Sequence, residues 1–217
     1  MELIGFVHVG NTFNERLIAR VYRQVNHYFK SKNLPIRLVY LGELELGPGY
    51  LVNIQTENGN VKGYPLEAVT ELLHAKLIHT QEEIMEKRNT REEKNENKNK
   101  NVPKMNKIFG ILNFPIVSRN PYLDFYEKFL GIQQDFHELK VMILSIKPFE
   151  DNDEKVFEKR LFKGILHEVG HAFGLNHCQE DCVMKPPKVI GEWDLRRDDF
   201  CKRCFVELKR NVNWEED

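Results

Sequence analysis

Apolar positions change their period several times along the chain, and each change marks an element. Leu3 to Val9 is an apolar run of strand length and reads as a buried strand. From Phe13 to Lys30 the period becomes helical, with Leu17, Ile18, Val21, Tyr22, Val25, Tyr28 and Phe29 on one face. A second strand is expected at Ile36 to Leu41. Between Gly42 and Gly63 the turn signals Gly47-Pro48-Gly49 and Asn58-Gly59 flank Tyr50 to Ile54, which reads as a short strand or hairpin arm. Pro65 fits the first turn of a helix running to Thr80 or beyond, which carries Leu66, Val69, Leu72, Leu73, Leu77 and Ile78.

From Glu82 to Asn106 the chain turns to Glu, Lys, Arg and Asn with almost nothing apolar. Such a stretch does not offset its ordering entropy by burial, so residues 82–106 are expected to be the frayed end of that helix and a mobile charged insertion. A strand at Lys107 to Leu112 is followed by an irregular stretch containing Pro115 and Pro121. A short strand near Phe129 to Gln133 and an apolar one at Val141 to Ile146 come next. After the capping residues Asp151-Asn152-Asp153, a helix runs to about Phe173 with Phe157, Leu161, Phe162, Ile165, Val169, Ala172 and Phe173 as its inward stripe. Strands alternating with helices predict a mixed α/β sheet.

Composition narrows the classes. With 217 residues, 41% hydrophobic and 30% charged, the chain suits one sizeable core or two small subdomains. Its 32 basic and 33 acidic residues leave no global field for nucleic acid or an anionic membrane, so neither partner is expected. The first residues lack the basic and apolar regions of a signal peptide, which makes the cytoplasm the expected location. All four cysteines, Cys178, Cys182, Cys201 and Cys204, crowd into the last fifth of the chain, and in a reducing compartment that clustering points to metal rather than disulfides.

On the last long helix sits His167-Glu168-Val169-Gly170-His171, whose four-residue spacing puts two imidazoles one turn apart on one face. Gly174 can end the helix in a left-handed turn and bring His177 round as a third ligand. Three neutral imidazoles leave one tetrahedral position of a zinc ion free, the mark of a catalytic rather than a structural site. Glu168, beside the first ligand and not needed to bind, is the candidate general base for water attacking a scissile carbonyl. The four cysteines form a Cys-x₃-Cys and a Cys-x₂-Cys pair, which suit a second, closed zinc site. His8, His27, His74, His79 and His137 have no such company and read as surface or core residues.

The pattern His167-Glu168-x-x-His171-x-x-Gly174-x-x-His177-Cys178-x₃-Cys182-x-Met184, followed by Phe200-Cys201-x-x-Cys204, resembles the archaemetzincins, a cytosolic branch of the metzincin metallopeptidases. The family's pattern has four residues between its first two cysteines; this chain has three, Gln179, Glu180 and Asp181. The resemblance implies catalytic zinc on His167, His171 and His177, general base Glu168, structural zinc on the four cysteines, and Met184 as the methionine of a Met-turn beneath the catalytic metal. It further implies a twisted mixed sheet with the active-site helix in residues 1–174, and a lower subdomain in residues 175–217. An extended substrate would lie along an edge strand, for which Phe129-Leu130-Gly131-Ile132 is the candidate.

The expectation is therefore a monomeric zinc peptidase with two zinc ions per chain and a peptide substrate. Two rivals remain. One is a zinc-stabilised binding module, which needs a fourth protein ligand such as Asp181 or Asp194. The other is a nucleic-acid-binding zinc ribbon built on Cys201-Lys202-Arg203-Cys204 and Lys209-Arg210, which the nearby Glu192, Asp194, Asp198 and Asp199 oppose.

Overall fold

A computed structural model describes residues 1–10, 14–56, 59–92, 105–120, 125–129 and 131–213. In chain order its main elements are β1 (Glu2–Val9), α1 (Glu15–Ser31), β2 (Ile36–Leu44), β3 (Val52–Thr56), β4 (Gly59–Pro65) and α2 (Leu66–Glu92). Then follow β5 (Met105–Leu112), β6 (Ile116–Asn120), β7 (Phe125–Phe129), β8 (Gly131–Phe136) and β9 (Leu139–Ser145). Three helices complete the chain: α3 (Glu154–Ala172), α4 (Gly191–Leu195) and α5 (Lys202–Asn213).

The main sheet has the order β2-β1-β5-β9-β8. All its pairs are parallel except β8 with β9, so the mixed α/β architecture holds and β8 is an antiparallel edge. Parallel strands covered on both faces carry nearly continuous apolar runs, which is why β1, β5 and β9 were legible. Alternation sends Ile4, Phe6, Phe109, Ile111, Met142 and Leu144 to the face covered by α1 and α3. Val7, Val9, Ile108, Leu112, Val141 and Ile143 face α2 through Val69, Leu73 and Leu77. The first of these cores continues without a break into the C-terminal segment, through Leu175, Val183, Met184, Trp193, Phe200 and Leu208.

Several expectations need correction. Pro65 closes β4 rather than opening α2. The helix expected to run beyond Thr80 does so, to Glu92, because Glu, Lys and Arg are good helix formers and ion pairs such as Glu83 with Lys87 support an exposed turn without burial. Residues 105 and 106 already belong to β5, and 93–104 lie outside the described residues. The stretch read as irregular holds β6 and β7, an antiparallel pair in a second sheet of order β3-β4-β6-β7. Phe129 ends β7 and Gly131 begins β8, while Leu130 and Pro121 lie outside the described residues.

Candidate metal centre

The site is organised by α3. Asp153 caps its start, accepting from the Lys155 N–H at 2.9 Å. From Arg160 to Gly170 the helix is almost entirely buried, so each polar side chain there must find a partner inside the protein. Arg160 makes a two-pronged bond to Asp194 at 2.8 and 2.6 Å, and the Lys163 ammonium donates to the carbonyls of Trp193 and Arg196. These contacts hold α4 against α3 and bring Trp193 within 5.9 Å of the His167 ring.

The helix ends in a Schellman turn. Gly174 has φ +81°, its N–H donates to the His171 carbonyl at 2.8 Å, and the Leu175 N–H donates to Gly170 at 3.0 Å. Only glycine adopts that φ without cost, and the reversal carries His177 back over the helix it has just left. The ring centroids of His167, His171 and His177 then lie 4.7 to 5.4 Å apart, and one ligand atom from each falls within 4.8 Å of the others.

The tautomers follow from the partners. His167 Nδ1 donates to the Val183 carbonyl at 2.8 Å and His171 Nδ1 donates to the Leu175 carbonyl at 2.7 Å, since a carbonyl only accepts. Both Nε2 atoms are therefore lone pairs, and they face each other at 3.1 Å. Two acceptors at that distance repel unless a cation lies between them, and imidazole nitrogens at ~2.0–2.1 Å from a tetrahedral zinc are separated by ~3.3 Å. The residues fit the metal. Burial lowers the pKa of His167 to about 3 and also lowers that of His171, so both rings are neutral at pH 7, as ligands must be.

Glu168 is 5% exposed and lines the same cleft of about 400 Å³, together with Gly131, Ile132 and Gln133 of β8. Desolvation pushes its carboxyl up to about 8. Asp181 and Asp194 are engaged elsewhere, with Arg197 and Arg160. Among the described residues, no fourth His, Cys, Asp or Glu joins the imidazole group.

The buried thiols of Cys178, Cys182, Cys201 and Cys204 form a second group within 4.8 Å. Cys178 and Cys201 sulfurs are 3.9 Å apart, too far for a disulfide and close to the ~3.8 Å set by tetrahedral zinc–sulfur bonds of ~2.3 Å. The three-residue Cys178–Cys182 spacing still brings Cys182 into the group. Despite burial, which raises it, hydrogen bonds from the Glu180 N–H and Arg203 leave the Cys178 pKa lowered, whereas burial leaves those of Cys182 and Cys204 raised; the thiolate is the form that binds metal. Met184 is fully buried with its sulfur against the backbone of Gly170, and its carbonyl accepts from the Cys178 N–H at 3.0 Å.

Of the remaining histidines, His8 is buried beside Tyr40 and Glu43, His74 stacks on Phe136, and His79 is exposed beside Glu83. The Val183 and Leu175 carbonyls and the Trp193 ring were missed from the sequence. Main-chain acceptors carry no side-chain signal, and Trp193 reaches His167 only through the α3–α4 packing.

A long helix beneath a mixed sheet, presenting imidazoles to a cleft at the sheet's antiparallel edge, defines a protein of the zincin-like fold class. Comparison with known proteins narrows this further. The model of Peptidase family M54 matches residues 1–210. An archaemetzincin of Nanoarchaeum equitans is 33% identical over 98 residues, 45% of this chain and 52% of that one, so the match spans about half the length of the relative. The crystal structure of an archaemetzincin from Methanopyrus kandleri superposes with a TM-score of 0.66 at 17% identity, covering 98% of this chain and 96% of that chain. A structure described as a zinc-dependent peptidase from Methanocorpusculum labreanum gives 0.58 at 20% identity, covering 94% and 99%. The chain belongs to Peptidase family M54.

Proposed function

We propose that this chain is a zinc metallopeptidase in which His167, His171 and His177 hold the catalytic ion and Glu168 is the general base. The observation that carries the reading is the pair of facing imidazole lone pairs, with a third ring beside them and no fourth protein ligand among the described residues. Zinc supplies, when bound, a Lewis-acid centre that lowers the pKa of a coordinated water to about 7. Glu168 accepts a proton from the attacking water and delivers it to the departing amine. The outer side of β8 is the proposed seat of an extended peptide, aligned by main-chain hydrogen bonds beside Glu168. Cys178, Cys182, Cys201 and Cys204 hold a second, structural zinc, and Met184 is the apolar floor of the Met-turn.

The reading includes a division at Gly174 into an upper part, 1–174, and a lower part, 175–217, and a chain that works as a monomer in the cytoplasm without nucleic acid. Among the described residues no helix is long and apolar enough to cross a membrane. Family membership supports the peptidase class, and the engagement of Asp181 and Asp194 with arginines counts against the closed site that a purely structural module needs. The test is Glu168→Gln. It should keep its zinc and lose about 10² to 10⁴ in peptide turnover; unchanged turnover would remove Glu168 from the mechanism.

A further inference from the structure

We infer that Gly131 is a positioning residue for Glu168: the space its missing side chain leaves is where the carboxyl group rests. The inference rests on the proposed role of Glu168. Along β8 the side-chain direction alternates, and Ile132 packs into the core on the α2 side of the sheet. Gly131 and Gln133 therefore share the opposite face, towards α3. A Cβ built on Gly131 would lie 2.5 Å from Glu168 Cδ and 3.2 Å from Cγ, and closer still to Oε1. Real Cβ atoms do not approach within 3.0 Å, so any side chain at 131 displaces the carboxyl.

Which part yields decides the consequence. Glu168 Cα sits on the buried stretch of α3 and does not move, whereas the carboxyl is the far end of a rotatable side chain. Alanine at 131 is thus accommodated by swinging the carboxyl off the edge strand, at small cost in stability. The cost appears in the reaction, because a base misplaced by about 1 Å loses on the order of 10²-fold in rate. Gly131 is the one glycine of β8, which ties the edge strand and the general base to one register.

The experiment compares the zinc-loaded full chain, Gly131→Ala, Glu168→Asp and the double variant by zinc content, Tm, kcat, KM and the crystal structure of Gly131→Ala. The expected result for Gly131→Ala is unchanged zinc, a Tm fall under about 4 °C, KM within about threefold and kcat down on the order of 10²-fold, with the Glu168 carboxyl displaced in the crystal. Glu168→Asp withdraws the carboxyl by one methylene, so adding Gly131→Ala to it should lower kcat by less than about threefold. An alanine accommodated with Glu168 in place, or full additivity of the two substitutions, would overturn the inference. If Gly131→Ala does not fold, the double variant decides: recovery of a folded, zinc-loaded protein supports the steric contact and continued misfolding contradicts it. Absence of turnover in the parent chain would sink the peptidase reading, while the crystallographic displacement would still decide the role of Gly131.

Discussion

His167 is neutral in the folded chain because burial excludes its charged form, and the same penalty on charge raises the pKa of Glu168 beside it. The pKa of His167 falls from 6.5 to about 3, so the unfolded chain binds the extra proton between those values. The stability this contributes is whole above about 6.5 and is lost as pH falls towards 3. Thermal melts of chelated protein should therefore show Tm falling across that window, and His167→Gln should flatten the slope. Glu168, raised from 4.5 to about 8, has the reverse sign: its stabilising contribution is whole below 4.5 and is lost as pH rises to 8. Glu168→Gln should accordingly raise the Tm of the chelated protein at pH 8 relative to the parent, and an equal or lower Tm would refute the burial penalty.

At the scale of elements, α3 is held by its polar contacts as much as by its apolar stripe. Arg160, 7% exposed, bridges Asp194 and Asp151 and donates to the Phe149 carbonyl. Arg160→Ala leaves those acceptors without their cation and should cost about 3 kcal/mol, read as a Tm fall of about 6–12 °C; a change within 2 °C would show the clasp to be idle. What the sequence revealed at this scale follows from period and spacing. The start of α3, its apolar stripe, the His167 and His171 face and the bend at Gly174 are local features, and each is written in adjacent residues. Hidden were elements whose order comes from elsewhere. The β6–β7 pair exists only because each strand meets the other, and its residues carry no strict alternation. The approach of Glu168 to Gly131 joins α3 to β8 across the cleft and has no trace in either segment alone.

At the scale of the whole molecule, one peptide bond links the two candidate metal-binding groups, because Cys178 follows His177 directly. The Cys178 N–H bond to the Met184 carbonyl ties the same corner to the floor under α3. Loosening the thiol group should therefore reach the imidazoles. Cys204→Ser is expected to lower zinc content by one ion per chain and to reduce peptide turnover, although residue 204 lies outside the cleft. Metal analysis paired with turnover checks this, and full activity with one zinc would uncouple the sites.

The most direct measurement is diffraction from crystals of the purified chain, with anomalous data on either side of the zinc edge. The account predicts one peak ~2.0–2.1 Å from the His167 and His171 Nε2 atoms and a nitrogen of His177, with no fourth side chain on it, and a second peak ~2.3 Å from the four cysteine sulfurs. A first peak closed by a protein side chain, or imidazoles that diverge around no metal at all, would contradict it.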